Sequence, residues 1–203
     1  MKAIPVRTAA AAALLLALSA CGGKASFDVA GVFVDAQGIP KPVANSGLVL
    51  KNGGDTLPVD VGATSFKFNN SVSYGSAYDI TVQKQPEHMT CSVANGSGSA
   101  GHTQSISASV ICNQNTYKIG GTVTGITGDI TVSLTNGSLS GLVTLDKTST
   151  SYVFPAEVAD GQAYGVAVFS VSPSGALNCF VANPAGVMGS APRTNINVTC
   201  TPP

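Results

Sequence analysis

Residues 27–112 and 117–200 carry one pattern twice, and the two copies agree in spacing as well as in residue type. Val29-Ala30-Gly31 is answered by Ile119-Gly120-Gly121, and Leu50-Lys51-Asn52-Gly53 by Leu134-Thr135-Asn136-Gly137. Ser65-Phe66-Lys67-Phe68 returns as Ser151-Tyr152-Val153-Phe154. Val72, Gly75, Tyr78, Ile80 and Val82 return in unbroken register as Val158, Gly161, Tyr164, Val166 and Val168. Cys91, Val93, Asn95 and Gly98 become Cys179, Val181, Asn183 and Gly186, and Val110 and Cys112 become Val198 and Cys200. A duplication of this length means that one supersecondary solution has to work twice in the same chain.

Within each copy the apolar period is two. Ile130-Thr131-Val132-Ser133-Leu134-Thr135 alternates, as does Tyr78-Asp79-Ile80-Thr81-Val82, and Ile196-Asn197-Val198-Thr199-Cys200 places its cysteine on the apolar face. That is the pattern of strands with one buried side. Between the runs stand Asn52-Gly53, Asn95-Gly96, Asn136-Gly137 and Asp160-Gly161, residues that tolerate the positive φ of tight turns. Only 10% of residues are charged and Trp is absent, a composition suited to strands and turns. The expected fold is all-β: two tandem immunoglobulin-like or transthyretin-like antiparallel β-sandwich domains, 27–113 and 114–203, with roughly seven short strands each. The polar joint Asn113-Gln114-Asn115-Thr116 is expected to set them end to end.

The first twenty residues follow another logic. Lys2 and Arg7 precede an apolar run from Thr8 to Leu18, too short to cross a membrane as a mature helix and correct for the apolar region of an export signal. The run ends in Leu18-Ser19-Ala20-Cys21, which resembles the lipobox of bacterial lipoproteins. The resemblance implies a signal peptide over 1–20, cleavage before Cys21, and a diacylglyceryl thioether with an added acyl chain such as palmitate on that cysteine. More than one chain is needed for firm anchoring, at about 0.8 kcal/mol per buried methylene. Gly22 follows the cysteine where Asp would signal inner-membrane retention, so the resemblance places the protein in the cell envelope, at the outer membrane. The tether 21–26 reaches roughly 20 Å fully extended, which keeps the first domain near the headgroups.

Of the five cysteines, Cys21 is assigned to lipid and two remain in each copy, 21 residues apart in both. Cys91 with Cys112 and Cys179 with Cys200 is the one connectivity of three that respects the repeat, and an exported chain is expected to oxidise them. Each bridge closes a loop expected to stabilise its unit by roughly 3 kcal/mol. Gln85-Pro86, the run Thr90-Cys91-Ser92-Val93-Ala94-Asn95-Gly96-Ser97-Gly98, and Val110-Ile111-Cys112 are similar to a β-sandwich repeat found in arrays in exported proteins of Gram-negative bacteria. The second copy keeps the cysteines, Asn183 and Gly186 but lacks the Gln-Pro pair. What this resemblance implies is architecture; it brings no catalytic or ligand residues.

Chemistry is sparse. His88 and His102 are the two histidines, both in the first copy, and no spacing of a serine hydrolase, zinc protease or P-loop occurs. Glu87 and His88 are adjacent and so are expected on opposite faces of an extended chain. Asp55, Asp60, Asp35 and Asp79 make no convincing calcium loop. The Gly/Ser tract from Asn95 to Gly101 has neither the helix start nor the lysine of a phosphate cradle. No catalytic residue, cofactor or metal is therefore expected. With Lys2 and Arg7 removed, the overall charge falls from +0 to −2, and no basic face is left for nucleic acid.

The expected function is that of a non-enzymatic, lipid-anchored envelope protein, held to the membrane through Cys21. It would present a sandwich rod for contact with an unknown protein or glycan, in an adhesin-like or assembly role. Sheet edges and the loop from Asn95 to Gln104 are the expected contact surfaces. A small-ligand or carbohydrate-binding module is the alternative, and it would require exposed clustering of Tyr74 with Tyr78 or Phe169. An enzyme would show itself as a pocket uniting His88 or His102 with a buried carboxylate. Thr201-Pro202-Pro203 follows the last cysteine directly, so no effector domain is expected after it.

Overall fold

Strand-forming alternation and turn residues produce ten short strands in each copy among the described residues. The computed structural model describes residues 25–102, 105–137 and 141–203, and among them the regular structure is all β-strand. The first unit contains β1 (Ser26–Phe27), β2 (Val29–Val34), β3 (Val49–Asn52), β4 (Asp55–Pro58), β5 (Ser65–Lys67), β6 (Val72–Ser73), β7 (Ala77–Lys84), β8 (Met89–Ala94), β9 (Ser97–Ser99) and β10 (Ile106–Gln114). The second contains β11 (Thr116–Tyr117), β12 (Gly120–Thr124), β13 (Thr131–Asn136), β14 (Val143–Leu145), β15 (Ser151–Val153), β16 (Val158–Ala159), β17 (Ala163–Ser172), β18 (Asn178–Val181), β19 (Ala185–Val187) and β20 (Val198–Thr201).

The two units share one topology. Sheets β5-β2-β10-β8 and β4-β3-β7-β9 face each other in the first, and β15-β12-β20-β18 and β14-β13-β17-β19 in the second, with the pairs β1-β6 and β11-β16 at one end of each. Pairing is antiparallel except for β2 with β10 and β12 with β20, which run parallel. The expected pair of all-β, largely antiparallel sandwiches is what the chain adopts, with one parallel pair in each. The chain visits the opposite sheet between its first long strand and its last, and such a crossover can bring a strand back in the same direction.

Each unit has its own core. Val29, Phe33, Leu48, Leu50, Phe68 and Val110 are among the buried cluster of the first, and Ile119, Val132, Leu134, Phe154, Ile196 and Val198 among that of the second. The duplicated aromatic pairs anchor both. Phe66 and Phe68 meet edge to face at 6.1 Å, and Tyr152 and Phe154 at 5.7 Å. Each fully buried ring contributes about 2–3 kcal/mol.

The recurring glycine at the centre of β2 and β12 has a steric cause. A Cβ on Gly31 would lie 2.2 Å from the Ala108 carbonyl oxygen and 2.5 Å from the Phe66 ring. One on Gly121 would lie 2.0 Å from the Ile196 oxygen. That same oxygen accepts a 2.7 Å hydrogen bond from the buried Tyr152 hydroxyl, a bond the first unit lacks because Phe66 stands there. Burial pushes the Tyr152 hydroxyl up to about 12.

The disulfides join residues directly opposite each other in one sheet, Cys91 to Cys112 between β8 and β10, and Cys179 to Cys200 between β18 and β20. They fasten an edge strand to its neighbour, whereas the bridge of antibody domains links two sheets. In the first unit the Gln85 side chain also clamps this edge: its Oε1 accepts from Cys91 N at 2.7 Å and its Nε2 donates to Cys91 O at 3.0 Å.

Candidate functional site

The place where titratable side chains meet in a cleft is the joint between the units. β10 runs through Gln114 and β11 begins at Thr116, leaving Asn115 alone between them. Asn115 is fixed on three sides: its N donates to His88 O, its O accepts from Asp160 N, and its side-chain oxygen accepts from the Thr90 hydroxyl at 2.7 Å. Gln114 belongs to both units, pairing with Met89 and donating through Nε2 to Asp160 O at 3.0 Å.

His88 reaches across this joint. Its φ of 60° turns the chain just before β8, and Nδ1 sits 3.0 Å from the Asp160 carboxylate, whose side chain is only 7% exposed. The ring lies over Gly161, where an added Cβ would stand 3.2 Å away. The carboxylate partner is thus in the other unit and is not the neighbouring Glu87, which points to Ser46. Asn45, Gln114, Asp160 and Gln162 line the surrounding open cleft of about 340 Å³.

A histidine beside a buried carboxylate in a cleft is the arrangement that would favour an enzyme. The remaining lining residues Ala159 and Gly161 add no nucleophile to the amides, and hydrolytic chemistry needs one, or an activated water with a charge-stabilising donor. The polar groups are instead spent on hydrogen bonds within the fold: Asn45 Nδ2 donates to Glu87 O in the first unit, Gln114 to Asp160 O across the joint, and Gly161 N to Met188 O in the second. The pair acts as a clasp between units. His102 is exposed in a bend of the first unit and forms no ion pair with a carboxylate among the described residues. Among the described residues, no group of three His, Cys, Asp or Glu is placed to hold a metal ion.

A second open cleft, of about 320 Å³, runs in the first unit between β7 and the edge strand β8, with Asp79, Thr81, Ser92 and Ser97 on its walls. The aromatic side chains are arranged differently from expectation. Phe169 and Phe180 are 63% and 69% exposed on the second unit, and Tyr74 is 68% exposed on the first. Phe169 is the extra residue of a bulge in β17, and Gln83 occupies the matching bulge in β7. Phe180 follows the bridged Cys179 where Ser92 follows Cys91. Tyr74 packs on Phe27, ring centroids 6.4 Å apart, and has no ring contact with Tyr78 or Phe169 among the described residues.

Two residues that the sequence marks only as turn formers brace neighbouring strands. Asn52 and Asn136 each accept a 2.9 Å hydrogen bond from the next strand, from Asp79 N and Gly165 N respectively. Their recurrence at matching positions was the available signal. Asp160 was seen as half of an Asp-Gly turn, and its partner lies in the other unit. Cys21 lies outside the described residues.

The geometry defines a class: a tandem, disulfide-bridged β-sandwich protein. No family model matches the chain, and no curated protein matches it. Among solved structures it is similar to the Bacillus anthracis TIE protein, with a TM-score of 0.49 and 11% identity over 86% of this chain. The chain spans about a third of that protein's length, 34%. It is also similar to the major pilin protein (T-13) from Streptococcus pyogenes serotype GAS131465, with a TM-score of 0.31 and 9% identity, covering 88% of this chain and 96% of the pilin.

Proposed function

We propose that this chain is a lipid-anchored envelope protein whose two bridged sandwiches hold a contact surface away from the membrane. The observation that carries the reading is the asymmetry of the two otherwise matching units. Where the first has Gln83 and Ser92, the second exposes Phe169 and Phe180. Exposed aromatics at positions that tolerate polar residues in a sister domain are typical of protein contacts. The second unit is therefore the contact-making one, and the first is a bridged spacer between it and Cys21. The clasped joint supports this role, because a fixed connection transmits the orientation of one unit to the other.

The test uses full-length protein from membranes. Intact mass is expected to show acylated Cys21, and protease added to whole cells is expected to reach the second unit. Crosslinking and glycan-array binding are then compared between wild type and the Phe169→Ser, Phe180→Ser double variant. Partner capture that survives the double variant would refute the aromatic contact, and an unmodified Cys21 would refute the anchor. A carbohydrate-binding reading has the amide-lined joint cleft in its favour, but no Phe or Tyr lines that cleft. Glycan binding lost on Gln162→Ala and kept in the double variant would select it.

A further inference from the structure

The end of each unit that carries β6 or β16 makes the same set of contacts, one of them with the segment preceding that unit. In the second unit Asp160 N donates to Asn115 O at 2.9 Å, Gly161 N to Met188 O at 2.9 Å, and Met188 N to Gln162 O at 2.8 Å. In the first, Tyr74 N donates to Ala25 O, Gly75 N to Ala100 O, and Ala100 N to Ser76 O, all at 2.8 Å. Position for position, Tyr74 occupies the place of Asp160. Asp160 is the residue through which the second unit grips what lies before it, the His88 face of the first unit. What lies before the first unit, on the lipobox reading, is the membrane.

We infer that the Tyr74 end of the first unit seats on the lipid headgroup region. The inference rests on the anchor at Cys21 and adds to it which face of the protein meets the bilayer. Four residue steps separate Cys21 from Ala25, a reach of at most roughly 14 Å, and the Ala25 carbonyl is itself held by Tyr74 N. The acylated sulfur therefore cannot leave this end of the unit. Tyr74 suits the location: it is 68% exposed, and its ring is supported against Phe27 and over Gly101, where an added Cβ would lie 2.4 Å from it. An apolar ring with a polar tip settles at the boundary between headgroups and acyl chains. The turn residues around it, Ser73, Gly75, Ser76 and Gly101, carry no carboxylate to repel anionic lipid. At the matching position of the second unit a buried carboxylate replaces the ring, as fits a protein neighbour and not a bilayer.

Because the chain has no Trp, Tyr74→Trp creates a single-Trp reporter. The acylated full-length variant is reconstituted in phosphatidylethanolamine and phosphatidylglycerol vesicles containing a fraction of lipid brominated near the headgroup. The expected result is a blue-shifted emission with loss of most of its intensity to bromolipid, while Phe169→Trp in the second unit keeps its intensity. Wild-type protein is measured in parallel by hydrogen exchange, with slower exchange expected at residues 73–76 on vesicles than in detergent. Equal, unquenched emission from both reporters and unchanged exchange, in protein that still floats with the vesicles, would overturn the docking and leave the anchor standing. Protein that does not float and whose Cys21 has its unmodified mass would remove both.

Discussion

Replacing both cysteines of one unit by alanine isolates the contribution of its bridge. Each bridge closes a loop of the same length, since both pairs are separated by 21 residues, so the loss of loop-closure entropy is the same, about 3 kcal/mol. For a unit of this size that lowers its melting temperature by on the order of 10–20 °C. The folded edges left behind are unequal. β8 retains six paired residues with β10 and the Gln85 clamp on Cys91. β18 retains four pairs with β20 and has no such glutamine. Scanning calorimetry of Cys91→Ala/Cys112→Ala and Cys179→Ala/Cys200→Ala is expected to show one displaced transition of similar size in each. Hydrogen exchange is expected to show β18 fraying while β8 stays protected. A loss below about 1 kcal/mol in either unit would refute the loop-entropy reasoning, and faster exchange in β8 than in β18 would refute the clamp.

Tyr152→Phe removes the hydroxyl from the Ile196 carbonyl and is expected to cost about 1 kcal/mol in urea unfolding. The same residue sets an alkaline limit: its folded value is raised to about 12 from an ordinary 10. Its share of stability is therefore complete below pH 10 and is lost as pH rises through about 12, a loss that phenolate absorbance tracks and that Tyr152→Phe abolishes. Gly31→Ala forces a methyl against the Ala108 carbonyl and the Phe66 ring, and about 3 kcal/mol or more of the first unit's stability is expected to go, read as a lower first melting transition with the second unmoved. Asp160→Ala breaks the clasp to a half-exposed histidine, so its cost in stability is expected to stay below about 1 kcal/mol. Residual dipolar couplings should nevertheless show the two units no longer sharing one alignment. Asp146, held below the ordinary carboxylate range by the Thr148 hydroxyl and then by Ser149, is expected to lose its support for the turn after β14 as pH falls, which Asp146→Ala would mimic at neutral pH in amide exchange of Thr148.

Much of the architecture was legible because it rests on local alternation repeated twice. Phe66, Phe68, Tyr152 and Phe154 recur at matching positions of the two copies, as do Gly31 and Gly121, but the close approach that demands those glycines is visible only once the strands are paired. The parallel pairs left no local trace, since the direction in which β10 returns to β2 depends on the strands between them. Phe169 was obscured for a physical reason of its own. A bulge adds one residue to β17 and shifts the phase of alternation, so a ring that reads as part of an apolar run ends at the surface. Asp160 and His88 were invisible as a pair because their contact depends on how two complete domains abut.

The parallel pairing of β2 with β10 also determines how the protein bears load. A chain drawn out from its two ends is stretched along these strands in opposite directions from opposite ends. Separating them requires six facing positions, Val29 with Ile106 through Val34 with Ile111, to slide together and not open one at a time. In the second unit Val123 with Val198 and Thr124 with Thr199 share that geometry, and the parallel bridge of Ile119 with Arg193 and the bond from Ile196 N to Gly120 O continue it less regularly. Both units therefore meet a pull on their ends with shear along a parallel ladder, longest and most regular in the first.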